Sequence, residues 1–284
     1  MTPGAQARPV LKWAGGKKQL LPQILRRLPA EIETYYEPFV GGGAVFFALA
    51  REERFRRAVI GDRNPDLIAV YRAIQEDVEG VIRVLRRFRH TESEYYRIRA
   101  LAPRKLVERA ARTIYLNKTG YNGLYRVNRA GEFNVPFGRY KSPNICDERN
   151  LRAASSALAQ VEIVVADFEE VCARAASGDA VYLDPPYVPL SKTSNFTAYD
   201  RHPFGAPEHA RLARVFGALQ KRGVHALLSN SDTPETRALY REFSLRRVPV
   251  ARPINCRADA RGTIHEILVV AEPRRVTRPR LRAS

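Results

Sequence analysis

The residues Asp184, Pro185, Pro186 and Tyr187 stand together after an apolar run and combine a carboxylate, a rigid backbone and an aromatic ring. An ionised carboxylate only accepts hydrogen bonds, so Asp184 can hold an exocyclic NH2 group. Proline fixes φ and has no N–H, which allows the Pro185 carbonyl to be held towards the same amine. The ring of Tyr187 offers a face on which a base can stack. We interpret these four residues as catalytic, the alternative being a turn that ends a strand.

Three successive glycines, Gly41 to Gly43, follow a strand-like run and precede a helical pattern. Glycines at such a junction permit a tight turn with positive φ and bring a ligand close to the backbone at a helix N-terminus. Asp62 lies 21 residues after Gly41, near the spacing of about 20 at which an acid meets ribose hydroxyls. The glycines do not match GxGxxG, so they indicate a nucleoside cofactor and not specifically a dinucleotide. A structural turn with a solvated Asp62 is the alternative.

The segment Leu11 to Lys18 contains a Gly-Gly-Lys run that is not a phosphate loop. The GxxxxGK[ST] motif needs Gly at Leu11 and Ser or Thr at Lys18, so an ATPase is excluded on both counts. Trp13 is the only tryptophan of the chain. It is either a core residue or an aromatic wall over a bound adenine.

The composition favours a globular protein that meets polyanions. The chain of 284 residues carries a net charge of +18, and a field of this sign attracts nucleic acids. A general Arg bias of the proteome is the competing explanation. Three scattered cysteines and the lack of a long apolar stretch or leader pattern favour a cytoplasmic protein that holds no metal and contacts no membrane. Residues 273–284 form a predicted disordered basic tail.

Short apolar runs alternate with helical patterns at both ends of the sequence, which predicts an α/β protein with a mainly parallel sheet. The predicted strands are Tyr35 to Phe39, Ala58 to Gly61, Glu162 to Ala166, Ala180 to Leu183, Val224 to Ser229 and Ile264 to Ala271. The predicted helices between them include Val45 to Arg51, Glu208 to Arg222 and Thr233 to Arg241.

The middle of the chain differs from both ends. Amphipathic helix is predicted from Arg72 to Leu116, followed by a polar, aromatic and basic loop from Asn117 to Asn144. Loops of this length inside a domain are more often functional than not. We therefore predict a catalytic domain of residues 1–71 and 151–272, with residues 72–150 inserted as a helical recognition domain.

Five segments, in order, resemble the Dam-type family of DNA adenine-N6 methyltransferases, the D12 class. The matching residues are Leu11 to Lys17, Pro38 to Gly43, Leu116 to Arg126, Gly131 to Tyr140, and Asp184 to Tyr187. The departures are small: Lys118 stands where Arg is common in the family, and Thr119-Gly120 is variable. The resemblance covers nearly the whole chain and implies a Rossmann-like methyltransferase fold with S-adenosyl-L-methionine as cofactor.

The resemblance also implies roles for individual residues. Those that would line the cofactor site are Trp13, Lys17, Phe39, Gly41, Gly43, Asp62, Asp167, Phe168 and Asp184. Those that would read DNA are Asn122, Arg126, Pro136 and Tyr140. Arg126 is the candidate for a guanine, because Arg pairs with its O6 and N7 in the major groove. A phosphate contact is the alternative for Arg126.

The resemblance implies methyl transfer to N6 of an adenine in double-stranded DNA and favours GATC as the target. It also implies a bacterial or phage enzyme of DNA modification or restriction-modification, which we expect to be a monomer. An adenine inside a duplex cannot reach such a site, so it would be flipped out. Two other hypotheses stay open: amino-methylation of RNA or of a protein glutamine, and a DNA-binding protein with an inactive methyltransferase fold.

Overall fold

The computed structural model describes residues 6–13, 15–17, 19–128, 130–188, 204–251 and 263–273. The strands are β1 (Ile32–Glu37), β2 (Phe55–Asp62), β3 (Val161–Val165), β4 (Ala180–Leu183), β5 (His225–Ser231), β6 (Ser244–Ala251) and β7 (Thr263–Ala271). The helices are α1 (Leu21–Leu25), α2 (Ala44–Arg51), α3 (Pro65–Leu85), α4 (Glu92–Ala100), α5 (Leu106–Thr119), α6 (Glu148–Leu158), α7 (Phe168–Ala173), α8 (Ala206–Lys221) and α9 (Pro234–Leu239), with a 3-10 turn at Tyr121–Gly123.

The seven strands form one sheet in the order β3-β2-β1-β4-β5-β7-β6. Strands β1 to β5 run parallel to one another, and β7 is antiparallel to both β5 and β6. The chain winds outwards from β1 to β3 and then returns to place β4 on the other side of β1. The carboxyl ends of β1 and β4 therefore flank the point where the strand order reverses, which is where open α/β sheets bind their ligands.

Alternate residues of the central strands enter two separate cores. Tyr35, Ile60 and Tyr182 belong to one buried cluster, together with apolar residues of α2, α3, α5 and α6. Their chain neighbours Tyr36 and Val59 belong to the other cluster, together with residues of α7 and α8. Successive strand side chains point to opposite faces, so the sheet is covered on both sides, and the predicted α/β class is confirmed.

Strand β6 was not predicted, and its sequence explains why. It reads Ser-Leu-Arg-Arg-Val-Pro-Val-Ala, in which charged residues and Pro249 obscure any apolar alternation. The strand lies at the edge of the sheet and pairs only with β7. Proline is tolerated at such an edge because its missing N–H is not needed by a further strand.

The predicted boundary at residue 72 falls inside α3, whose helical backbone is interrupted only at Asp77. Apolar residues of α3 and α5 share one core with the sheet. The division into a catalytic domain and an inserted domain stays a prediction. Residues 274–284, which make up nearly all of the predicted tail, lie outside the described residues.

The predicted loop from Asn117 begins later than expected, because α5 continues to Thr119. The polar composition was misleading: Asn117 and Thr119 are buried and their side chains are hydrogen-bonded, Thr119 to the Tyr115 carbonyl at 2.6 Å. After α5 the chain forms a hairpin, closed by bridges between Gly120 and Phe137 and between Val127 and Phe133. Among the helices that the structure describes, none is long and apolar enough to span a membrane.

Candidate active site

Four strands bring polar residues to the sheet edge where the strand order reverses. Glu37 ends β1, Asp62 ends β2, and Asp184 directly follows β4. Ser229 and Asn230 lie near the end of β5, beside β4. Because these strands are parallel, their carboxyl ends meet at one edge. The structure therefore brings the carboxylate of the Asp184 segment together with residues that the sequence did not single out.

The Asp184 carboxylate is held by two side chains. The Lys17 ammonium lies 2.7 Å from Oδ2, and the Ser229 hydroxyl donates to Oδ1 at 2.9 Å. Lys17 is only 5% exposed, so this ion pair is largely shielded from water. The pKa of Asp184 is raised overall, because the effect of burial exceeds that of the Lys17 charge and of the hydrogen bonds that lower the pKa. A carboxylate has about four acceptor positions, more than these two partners use.

Tyr187 is held at its hydroxyl and at one face of its ring. Its hydroxyl donates to Glu266 at 2.6 Å, and the Lys17 ammonium lies 4.8 Å from the ring centroid. The next residue, Val188, donates its N–H to the Asn230 side chain at 3.1 Å. Sequence reasoning missed Ser229, Asn230 and Glu266 because they belong to no motif. Their only signal was position, close to the carboxyl end of β5 or opposite it on β7.

The glycine turn has the conformation that its residue types predict. Gly41 and Gly43 have φ of 47° and 70°. A Cβ at Gly41 would lie 2.8 Å from the Trp13 ring, so a side chain is excluded sterically as well. Asp62 accepts hydrogen bonds from the N–H groups of Gly41 at 3.3 Å and Asn64 at 3.0 Å. The acid at ribose spacing is thus anchored to the turn that it follows in sequence.

Glu37 is a buried acid below this turn that the sequence did not flag. It is 2% exposed, and the Tyr35 hydroxyl donates to it at 2.8 Å. Burial raises the pKa of Glu37 to about 8. The buried end of β1 thus carries an acid whose pKa lies above neutral pH.

Aromatic rings border the site at two places. Phe39 stacks on Phe168, with ring centroids 5.4 Å apart, and Phe168 is itself buried. Of these two rings only Phe39 is partly exposed. Trp13 is half-buried and packs on Tyr125 at 5.4 Å.

Asp167 forms hydrogen bonds with the backbone of α7 and with an arginine of α8. It caps α7 by accepting the Glu169 N–H at 3.0 Å, and both its oxygens accept from Arg211 at 2.8 Å. Burial raises the pKa of Asp167, but the hydrogen bonds from Arg211 and Glu169 together with the charges of Arg211 and Arg63 outweigh this effect, and the pKa is lowered overall. The predicted role of Asp167 and Phe168 beside an adenine stays a prediction, and the structure gives both residues a packing role at the start of α7.

The predicted DNA-reading residues lie on or beside the hairpin. Asn122, Arg126 and Pro136 are exposed. The Arg126 guanidinium donates to the Asn134 side chain at 2.7 Å, which holds it across the hairpin. Tyr140 is half-buried, and its hydroxyl donates to the Gly120 carbonyl at 3.2 Å. Within the described part of the chain, no group of three or more His, Cys, Asp or Glu residues is placed to hold a metal ion.

The sequence is similar to known DNA methyltransferases over most of its length. The sequence pattern of the D12 class N6 adenine-specific DNA methyltransferases matches residues 13–254. The type II methyltransferase M.MjaIII of Methanocaldococcus jannaschii is 43% identical, over 93% of this chain and 99% of its own length. The type II methyltransferase M1.LlaDCHI of Lactococcus lactis subsp. cremoris is 41% identical, over 92% and 94%.

The DNA adenine methylase of Escherichia coli (strain K12) is 38% identical, over 94% of this chain and 96% of its own length. The pattern match covers most of the chain, and these relatives align along nearly their full lengths. The chain therefore belongs to the D12 class of N6 adenine-specific DNA methyltransferases.

Proposed function

We propose that the protein transfers a methyl group from S-adenosylmethionine to N6 of an adenine flipped out of duplex DNA, within the sequence GATC. The observation that carries this proposal is Asp184, an acceptor-rich carboxylate held by Lys17 and Ser229 beside the fixed ring of Tyr187. The site lies where the strand order reverses. Family membership supplies the reaction class, and the residues below supply the reasons for the finer proposal.

The residues around the glycine turn fit a nucleoside cofactor. The positive φ of Gly41 and Gly43 leaves the backbone open to a close ligand. The Asp62 carboxylate, an acceptor held at the turn, would accept hydrogen bonds from ribose hydroxyls, and Phe39 presents a partly exposed ring for an adenine. When bound, S-adenosylmethionine supplies an electrophilic methyl group on a positively charged sulfur. The carboxylates of Asp184 and Asp62 would favour such a cation.

The chain's own residues would activate the adenine amine by orientation. The N6 lone pair is delocalised into the ring, so the amine is a poor nucleophile. Hydrogen bonds from N6 to the Asp184 carboxylate and the Pro185 carbonyl would favour a pyramidal nitrogen with its lone pair directed at the methyl group. Positioning and preorganised charge supply most of the acceleration in such a site. Stacking on Tyr187 would offset part of the cost of unstacking the base.

Methyl transfer from labelled S-adenosylmethionine to unmethylated duplex DNA, followed by mapping of the modified adenines, tests the proposal. We expect label at N6 of the adenine in GATC. Transfer to RNA or to a protein glutamine, without transfer to DNA, would overturn the proposed substrate. Label on DNA at a different sequence would overturn only GATC.

Asp184→Ala removes the acceptor of the N6 hydrogen bonds. We expect a loss of methyl transfer of roughly a hundredfold or more, the scale of lost transition-state hydrogen bonds. Duplex affinity in a mobility-shift assay should stay close to the wild-type value, because the exposed hairpin is unchanged. Wild-type turnover in this variant would refute the assigned role of Asp184.

Arg126→Ala removes the candidate guanine contact. We expect discrimination against a changed base pair at that guanine to fall by roughly 1–3 kcal/mol, measured as the ratio of kcat/KM between the two duplexes. Arg139→Ala is the matched control, since Arg139 is an exposed arginine on the same loop. Arg139→Ala should weaken the binding of all duplexes to the same extent. If Arg126→Ala also lowered the affinity for every duplex equally, Arg126 would be a phosphate contact.

A further inference from the structure

We infer that Asn117 is a positioning residue that couples DNA reading to the active site, by joining the recognition hairpin to the segment that carries Trp13 and Lys17. The inference rests on the proposed function, because it assumes that the hairpin reads the target sequence. Its consequence is that a wrong base pair under the hairpin slows the chemical step and does not merely weaken binding.

The Asn117 side chain bonds to two separate segments at once. Its Oδ1 accepts the Lys12 N–H at 2.8 Å, and its Nδ2 donates to the Lys12 carbonyl at 2.7 Å. The same Nδ2 donates to the Gly123 carbonyl at 3.1 Å. Asn117 is 2% exposed, so water cannot readily replace these bonds. An amide has two donors and an acceptor oxygen, and all three are used here.

Two further contacts reinforce the joint. Gly123 has a φ of +63°, and a Cβ there would lie 2.6 Å from the Lys12 side chain, so the 3-10 turn and the N-terminal segment are in close contact. The ring of Trp13 packs on Tyr125, the residue before Arg126. The stretch that leads to Arg126 is thus in contact with the N-terminal segment at two places, Gly123 and Tyr125.

The other end of the same segment reaches the catalytic carboxylate. Lys17 is five residues after Lys12 and lies 2.7 Å from Asp184. Its ammonium also donates to the Gly15 carbonyl at 2.5 Å, within the segment. A shift of the hairpin at Gly123 would therefore act on Lys12, which is five residues before the partner of Asp184 in the sequence. Small displacements at a reacting centre have large effects on rate.

The chain contains a matched control for this geometry. Asn150 binds Arg8 as Asn117 binds Lys12: Oδ1 accepts the Arg8 N–H at 3.0 Å, and Nδ2 donates to the Arg8 carbonyl at 3.1 Å. Asn150 is also buried. It lies in α6, and its described hydrogen bonds go to Arg8 and Asp147, not to the hairpin. Both side chains fasten the N-terminal segment, but only Asn117 joins it to the hairpin.

The test compares Asn117→Ala with Asn150→Ala. We would measure kcat and KM on a target duplex and on duplexes with one changed base pair. In the wild type, the changed pair should lower kcat as well as raise KM. In Asn117→Ala, the kcat ratio between the two duplexes should shrink by about tenfold, the usual size of coupling between two sites. Asn150→Ala should keep the wild-type ratio.

Trp13 gives a second readout that does not depend on turnover, because it is the only tryptophan of the chain. Without cofactor, the target duplex should change its fluorescence in the wild type and in Asn150→Ala, but less in Asn117→Ala. If Asn117→Ala does not fold, Asn117→Asp serves instead, since it keeps the acceptor for Lys12 and loses both donors. A wild-type kcat ratio in the folded Asn117 variant, or an equal change in both variants, overturns the coupling. A wild type that methylates no DNA refutes the proposed function instead.

Discussion

The ammonium of Lys17 contacts both the carboxylate and the aromatic ring of the Asp184 to Tyr187 segment. It lies 2.7 Å from Asp184 and 4.8 Å from the ring centroid of Tyr187, whose hydroxyl is bound to Glu266. Ion pairs shielded from water are strongly affected when one partner is removed, because the other charge is left buried and unpaired. Lys17 therefore controls the protonation of Asp184 as well as its position.

Lys17→Met should move the pH dependence of turnover. The ionised Asp184 carboxylate is a stronger acceptor for the amine than the neutral acid, and burial already raises the pKa of Asp184, an effect that Lys17 opposes. Without the ammonium this pKa rises further, so the acid limb of a kcat–pH profile should shift to higher pH. At neutral pH the variant should be slower and should recover partly as the pH is raised. An unshifted acid limb would contradict the role given to Lys17.

Among individual residues, those in sequence motifs could be predicted, but their hydrogen-bond partners could not. Asp184 and Tyr187 stand in one tetrapeptide whose residue types indicate amine binding. Ser229 and Glu266 come from β5 and β7, and nothing in their neighbourhood of the sequence marks them. Contacts between distant segments depend on strand order and register, which local patterns do not specify.

Among the elements, the turn between β1 and α2 depends most strongly on residue type. Gly41 and Gly43 both have positive φ, and both are packed so closely that a Cβ would lie 2.8 Å from a neighbouring aromatic side chain. Gly42 differs, since its added Cβ would lie no closer than 3.4 Å to another atom. The three glycines are therefore not equivalent, although the sequence presents them as one run.

Gly41→Ala should be much more harmful than Gly42→Ala. A left-handed backbone costs a non-glycine residue about 1–2 kcal/mol, and the new methyl group would also displace Trp13. We expect a lower unfolding free energy in urea and weaker cofactor binding, followed by Trp13 fluorescence. Gly42→Ala should change stability by less than about 1 kcal/mol. Equal effects of both substitutions would show that the conformation of Gly41 is not what matters.

The strands were easier to predict than the loops and edges. The interior strands are buried and apolar, so their pattern is clear, and β4 was predicted with its observed limits. The edge strand β6 was missed because an edge tolerates proline and charge. The end of α5 was placed too early because buried polar residues such as Asn117 resemble loop residues in the sequence.

For the molecule as a whole, the net charge of +18 is expected to contribute strongly to its affinity for DNA. Each phosphate contact releases counterions, so duplex affinity should fall steeply and linearly on a logarithmic plot against salt. This contribution is independent of sequence. Affinity and discrimination are therefore expected to respond differently to changes in surface charge.

Removing residues 274–284 deletes five arginines. We expect the slope of log affinity against log salt to become shallower by about one to four, since each lost phosphate contact contributes about 0.9. Discrimination between duplexes should not change, because Arg126 and the hairpin are retained. Affinities from fluorescence anisotropy at several salt concentrations provide the measurement. An unchanged slope would show that these arginines do not contact phosphate.

The position of β7 between β5 and β6 has a consequence for how the protein is made. Although β7 is the last strand along the described chain, it must enter the sheet before β6 has a partner. It also carries Glu266, the acceptor of the Tyr187 hydroxyl. Chains are synthesised from the N-terminus, and their early parts fold first. Asp184 and Tyr187 are therefore synthesised well before Glu266, the residue that binds the Tyr187 hydroxyl. The active site is completed only after translation has passed residue 266.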